Sequence, residues 1–287
     1  MIKITASYFF GFLLLLKVSL AGTLVQGTDI TRVDFKDDTT RVNNLILACK
    51  NELNTDPQKA IGYGQQAYDL ARKISFQPGA AYALKNIGSA YYILGDFNHS
   101  LNYYQQSLKI FTSLADKLGE ANLLSNLGAV YFNLGDEVKS LDHHLRSLKV
   151  SEEIGNKLRI ATSLINIGAV YYLKKATHNK ALEYYLRALP LCEEIADSSA
   201  VGTVSVNLGE IYLENNRDAL AMHYFKKSLD AYKGSINIPY SLNSLGKLYA
   251  KNGDYERAMD YHQQALDASI KTNGQLDIAQ SHLGLGN

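Results

Sequence analysis

A chain of 287 residues, 46% hydrophobic and 20% charged, has an ordinary globular composition with enough apolar material for a large core. A formal net charge of +1 carries none of the basic excess that nucleic-acid binding by this chain would need. Only 4 prolines suit long helices, and 20 tyrosines suit packing positions that take a large ring with a polar tip.

The first 21 residues form a segment of their own. Lys3 gives a short positive start, Phe9 to Leu16 is an unbroken apolar run, and Ser19-Leu20-Ala21 places small residues before Gly22. This is the layout of a cleaved export signal over residues 1–21, and it predicts a periplasmic or other extracytoplasmic protein. Lys17 interrupts the run, so an uncleaved membrane anchor is the weaker reading and a buried N-terminal helix weaker still. Residues 22–39 are polar, lack a helical period and read as a linker.

From about residue 40 onward the chain is periodic. Asp56-Pro57 opens a helix with Ala60 and Ala67, the second helix of a worn first repeat over 40–79. Such wear suits a terminal unit with a single neighbour. Five full repeats follow over about 80–278, each with a helix A and a helix B. In the first, helix A is expected at Ala80 to Leu94 and helix B at Asn98 to Ala115. Between them, Gly95 can end helix A in a left-handed conformation and Asp96 can cap helix B. The turn recurs at Gly135-Asp136 and Gly253-Asp254; the third unit replaces it with Lys174 to Asn179 and the fourth with Asn215-Asn216. Turns between units fall at Asp116 to Gly119, Gly155-Asn156, Asp197-Ser198, Gly234-Ser235 and Asn273-Gly274.

Within this frame one motif repeats. Asn86-Ile87-Gly88 with Tyr91 returns as Asn126-Leu127-Gly128 with Tyr131, Asn166-Ile167-Gly168 with Tyr171, and Asn207-Leu208-Gly209 with Tyr212. Leu245-Gly246 with Tyr249 and Leu285-Gly286 continue it, and the glycines step by 40, 40, 41, 37 and 40 residues. A helical unit repeated near 40 residues is a stacked array of helix pairs. Leu84, Ile87 and Tyr91 make an apolar stripe on helix A, and Gly88 among them admits helix B closely. Helix B answers with small residues flanking a ring: Ser100, Tyr104, Ser107; Ser140, His144, Ser147; Ala181, Tyr185, Ala188; Ala221, Phe225, Ser228; Ala258, His262, Ala265. Cys49 and Cys192 lie more than three repeats apart, too far for a disulfide, and read as small buried residues.

These residues closely resemble the tetratricopeptide repeat (TPR). That pattern has a bulky residue, Leu-Gly and Tyr in helix A, then Ala, an aromatic and Ala in helix B. Here Ser replaces Ala at several positions, and the repeat runs near 40 residues instead of 34. The resemblance implies an all-α fold, a right-handed α-α superhelix of antiparallel helix pairs whose A helices line a concave groove. It also implies a protein or peptide ligand there. The groove candidates are Tyr82, Asn86, Tyr92, Asn126, Phe132, Asn166, Tyr172 and Asn207. The asparagines form a ladder, one per repeat, whose amides either pair with an extended peptide or bond the neighbouring helix. The rings, with Tyr240, make the N-terminal part of the face apolar, as binding surface or as inter-helix packing, while the C-terminal part is charged. A subtype of the family grips a terminal carboxylate with paired Lys and Asn; Lys85 is followed by Ser89, so that pattern is not reproduced.

No catalytic, metal or cofactor residue is expected. The chain has no His-Glu-x-x-His, no Cys/His cluster and no phosphate loop, and His144 and His262 stand at the helix-B ring position. The longer repeat resembles the extracytoplasmic arrays of bacterial signalling proteins. The expected function is therefore the sensing region of an exported or membrane-bound signalling protein. The alternative is a free-standing periplasmic or secreted adaptor. Gly286 opens a sixth repeat at 279–287, so the array is expected to continue, with any membrane attachment coming from the N-terminal signal or a later segment. Mass analysis of the native protein should find Gly22 at the N-terminus; soluble protein retaining Met1 would overturn the export reading.

Overall fold

A computed structural model describes residues 38–272 and 275–286. The expected signal peptide, most of the linker and the Asn273-Gly274 turn lie outside the described residues. The described chain is all-α. Its helices are α1 (Asp38–Glu52), α2 (Pro57–Lys73), α3 (Gln77–Ile93), α4 (Phe97–Ser113), α5 (Lys117–Asn133), α6 (Glu137–Glu153) and α7 (Lys157–Tyr172). They continue as α8 (His178–Glu194), α9 (Ser198–Glu214), α10 (Asp218–Ala231), α11 (Ile238–Lys251), α12 (Tyr255–Thr272) and α13 (Gln275–Gly286). Odd-numbered helices are A helices and even-numbered ones B helices. The residues group into two compact units, one ending at Arg159 and the other beginning at Ile160.

Short turns with two recurring devices join the helices. Gly95, Gly135 and Gly253 take φ of +77°, +76° and +78°, a conformation that costs a residue without Cβ little. At the first of these, Gly95 N–H donates to Tyr92 O and Asp96 N–H to Tyr91 O, closing the last turn of α3. Asp96, Asp136 and Asp254 then accept from the backbone N–H of His99, Lys139 and Arg257. Asp56, Asp116 and Asp197 cap α2, α5 and α9 in the same way. The irregular third-unit turn is a single 3-10 turn over Lys175–Thr177. Helix α3 begins at Gln77, three residues before the sequence-based boundary at Ala80. Pro78 lies in its first turn, where a missing N–H costs nothing.

The helix pairs close over the repeat glycines. A Cβ on Gly88 would lie 2.6 Å from the Tyr104 ring, on Gly128 2.6 Å from the His144 ring, on Gly168 2.6 Å from the Tyr185 ring and on Gly246 2.6 Å from the His262 ring. Gly209 meets Phe225 in the same way. The five rings are buried, and the small residues beside them are buried too. Serine at these positions does more than replace alanine. Ser107 Oγ donates to Ala81 O at 2.7 Å, Ser147 Oγ to Ala121 O at 2.8 Å and Ser228 Oγ to Gly202 O at 2.9 Å. Each bond ties helix B to a helix-A carbonyl 26 residues back, and none of them was legible as a bond in the repeat pattern.

His144 shows how far the ring position is an apolar one. It is fully buried, and burial, followed by neighbouring His143, pushes its imidazole down to about 3, so it packs as a neutral ring. Cys49 and Cys192 are buried free thiols. Burial raises both. Replacing Gly128 with Leu forces a side chain into the His144 ring, and thermal or urea unfolding should show a loss of about 1–3 kcal/mol or more. Unchanged stability would refute this packing role.

Candidate ligand-binding face

In the N-terminal unit the candidate residues lie along α3 and α5. Tyr82 is 36% exposed and sets its ring edge-on against Phe111 of α4, with centroids 5.0 Å apart at 82°. The Lys85 ammonium, one turn along α3, sits 5.0 Å above the centre of the Tyr82 ring. Burial first, then the like charges of Arg159 and Lys50, push Lys85 down to about 8, against a smaller upward pull from Asp116. Tyr92 is half-buried and tilts against Phe97 at 5.7 Å. Its hydroxyl accepts 2.8 Å from Asn133 Nδ2, which also donates to Ala129 O at 2.9 Å. Phe132 is half-buried on α5.

The second unit carries the charged part of the face. Tyr172 is half-buried and stacks on His178 at 4.9 Å, with 8° between the planes. Its phenol is raised by burial and then by Glu210 and Glu214. Glu210 Oε1 accepts from Ser244 Oγ at 2.6 Å and pairs with Lys247 at 3.4 Å. Lys251 Nζ donates to Asp218 at 2.6 Å and to Leu213 O at 3.1 Å. These charges therefore join α11 to the end of α9 and the start of α10.

The asparagine ladder divides in two. Asn86 is buried, and its Nδ2 donates to Ile46 O at 3.3 Å, one repeat back on α1. Asn166 is 3% exposed. Both are corrected from open ligand contacts to interior residues: one has its donor committed to the preceding A helix, and the other has almost no accessible surface. Asn126 and Asn207 are half-buried, and neither amide has a hydrogen-bond partner among the described residues. The aromatic set is partly packing as well, because Tyr82, Tyr92 and Tyr172 each lean on a helix-B ring while keeping some surface open. Two polar features were missed in the sequence. One is the Asn133 clamp on Tyr92. The other is the charge environment of Lys85, whose signal lay in an arginine at a register position held elsewhere by glycine or alanine.

Two models described as tetratricopeptide repeat match the chain, one over residues 48–113, 119–178 and 172–234 and the other over 240–282. The chain belongs to the tetratricopeptide repeat family. Comparison with curated proteins returns no match. Among solved structures, BtubC from P. vanneervenii is 19% identical with a TM-score of 0.67, over 77% of this chain and 93% of that one. NprR in complex with its cognate peptide NprX is 17% identical with a TM-score of 0.62, over 88% of this TPR chain and 72% of that chain. A signal transduction ATPase with a tetratricopeptide repeat sensor, from Pyrococcus horikoshii, is 17% identical with a TM-score of 0.67, over 86% and 40%. At these identities the likeness establishes the shared fold.

No group of three or more metal-ligating side chains occurs among the described residues, and no described helix is long and apolar enough to cross a membrane. The divided ladder can be tested by stability. Asn86→Ala should lower the urea-derived stability by about 0.5–1.5 kcal/mol through loss of its inter-repeat bond, whereas Asn126→Ala should leave it nearly unchanged. Equal losses would show that both asparagines serve the fold.

Proposed function

We propose that this chain is a protein- or peptide-binding TPR scaffold whose ligand lies along the exposed faces of the A helices. The observation that carries the reading is the pair Asn126 and Asn207. Each holds a half-exposed amide, with donor and acceptor unspent on the protein, in the middle of an otherwise tightly bonded helix. Asparagine is a mediocre helix former, so its retention without a structural bond points to a bond made with something else. Phe132 and Tyr92 are half-exposed on the same unit and supply apolar surface beside Asn126. The peptide bound by NprR supports a peptide as the ligand class.

The apolar run Phe9 to Leu16 supports export and hence a ligand outside the cytoplasm. We read the array as the sensing region of a signalling protein, and the sensor repeats of the Pyrococcus ATPase support that placement over a free-standing adaptor. Selection of a random heptapeptide library on the full chain tests the binding reading. Enriched peptides should lose roughly 1–3 kcal/mol of affinity to the double variant Asn126→Ala with Phe132→Ala, with folding unchanged by circular dichroism. Failure to enrich any peptide, or affinities indifferent to both substitutions, would reject it.

A further inference from the structure

The N-terminal unit holds a group of cations that the fold does not neutralise. Lys85 and Arg159 are both half-buried, and no carboxylate lies within 4.0 Å of either among the described residues. The charged groups that act on the Lys85 ammonium are Arg159, Lys50 and Asp116, three helices and one turn converging on a single point. Asp116 is already engaged as the cap of α5, accepting from Gly119 N–H at 2.8 Å. Three positive charges thus face one carboxylate. Burial also disfavours the charged form of Arg159, so both half-buried cations have given up hydration without gaining a counter-ion.

The arginine stands where its own repeat family excludes one. Nine residues before the repeat glycine, the chain has Gly79, Gly119 and Ala200, but Arg159 in the third full repeat. At Gly119 a side chain would run into the Phe111 ring. One repeat later the Phe111 position is Ser151, so the ring that closes this space is gone where the guanidinium appears. Large and small have been exchanged as a pair. Asn122, one repeat on from Tyr82, adds a buried Oδ1 with no hydrogen-bond partner among the described residues. The Tyr82 ring lies beneath the Lys85 ammonium and holds it in place.

We infer that Lys85, Arg159 and Lys50 form a receptor for a carboxylate of the bound peptide, with Asn122 Oδ1 accepting an N–H from the same ligand. This rests on the peptide-binding reading and adds the ligand's chemistry to it: an acidic side chain or a free C-terminus anchored at the N-terminal unit. The carboxylate restores the missing counter-charge, and the partly dry surroundings strengthen the pair relative to an exposed one.

The test uses the full chain with lysines reductively dimethylated with carbon-13, which keeps their charge and gives each an NMR signal. Lys85→Arg assigns the Lys85 signal. Three blocked tripeptides serve as probes: acetyl-Ala-Glu-Ala-amide, acetyl-Ala-Gln-Ala with a free C-terminus, and the neutral acetyl-Ala-Gln-Ala-amide. An acidic probe should shift the Lys85 signal saturably and raise its titration midpoint, and the probe that binds more tightly names the source of the carboxylate. Arg159→Gln should weaken that probe roughly tenfold. Without any probe, the same variant should move the Lys85 midpoint upward, because a repelling charge has gone. An unmoved midpoint would remove the cluster itself. No response at Lys85 to either acidic probe at tens of millimolar, or an equal response to the neutral one, would overturn the inference. Peptides enriched from the library would then still uphold the broader binding reading.

Discussion

Everything in this chain hangs on one contact, the helix-B ring laid on a helix-A glycine. It recurs at Gly88 with Tyr104, Gly128 with His144, Gly168 with Tyr185, Gly209 with Phe225 and Gly246 with His262. The absent Cβ lets two helix backbones come close enough for a buried ring to cover both. Because the contact is made of shape and dispersion, its chemistry is open: tyrosine, phenylalanine and histidine all fill it. Histidine is admitted at the expense of its charge, which is why His144 is neutral well into the acid range.

Close approach then makes polar bonds possible that distance would otherwise forbid. Ser107, Ser147 and Ser228 reach helix-A carbonyls because the glycine contact has brought those carbonyls within 3 Å. A carbonyl already bonded within its helix still has a second lone pair, so these bonds add to the ladder and remove none of it. Between repeats the same economy operates through Asn86, which reaches Ile46 on the preceding A helix. Fold-holding polar groups therefore concentrate on the glycine side and at the repeat junctions.

The remaining polar groups are distinguished by what they lack. Glu210, Ser244, Lys247, Lys251 and Asp218 satisfy one another in the C-terminal unit. Asn126, Asn207, Lys85 and Arg159 find no such partner among the described residues. A half-buried group that has lost water and gained nothing is costly to keep. Its persistence in an array this regular is the physical ground for assigning it to a ligand.

The 40-residue recurrence of Gly with a following Tyr, and the small-ring-small pattern after it, determined by themselves that the chain is all-α and built of helix pairs. They did so because a glycine that must meet a ring writes both partners into the sequence at a constant spacing. The turns were legible for the same reason: Gly95 and Asp96 each answer a local backbone demand. The ladder was not. Asn86, Asn126, Asn166 and Asn207 are one letter at one register. Only tertiary structure separated the buried pair from the open pair, because the difference lies in where neighbouring helices place their carbonyls and how they cover each amide. The charge on Lys85 was equally out of reach. It is set by Lys50 and Arg159, 35 residues before it and 74 after it, and by how much water the helices between them exclude.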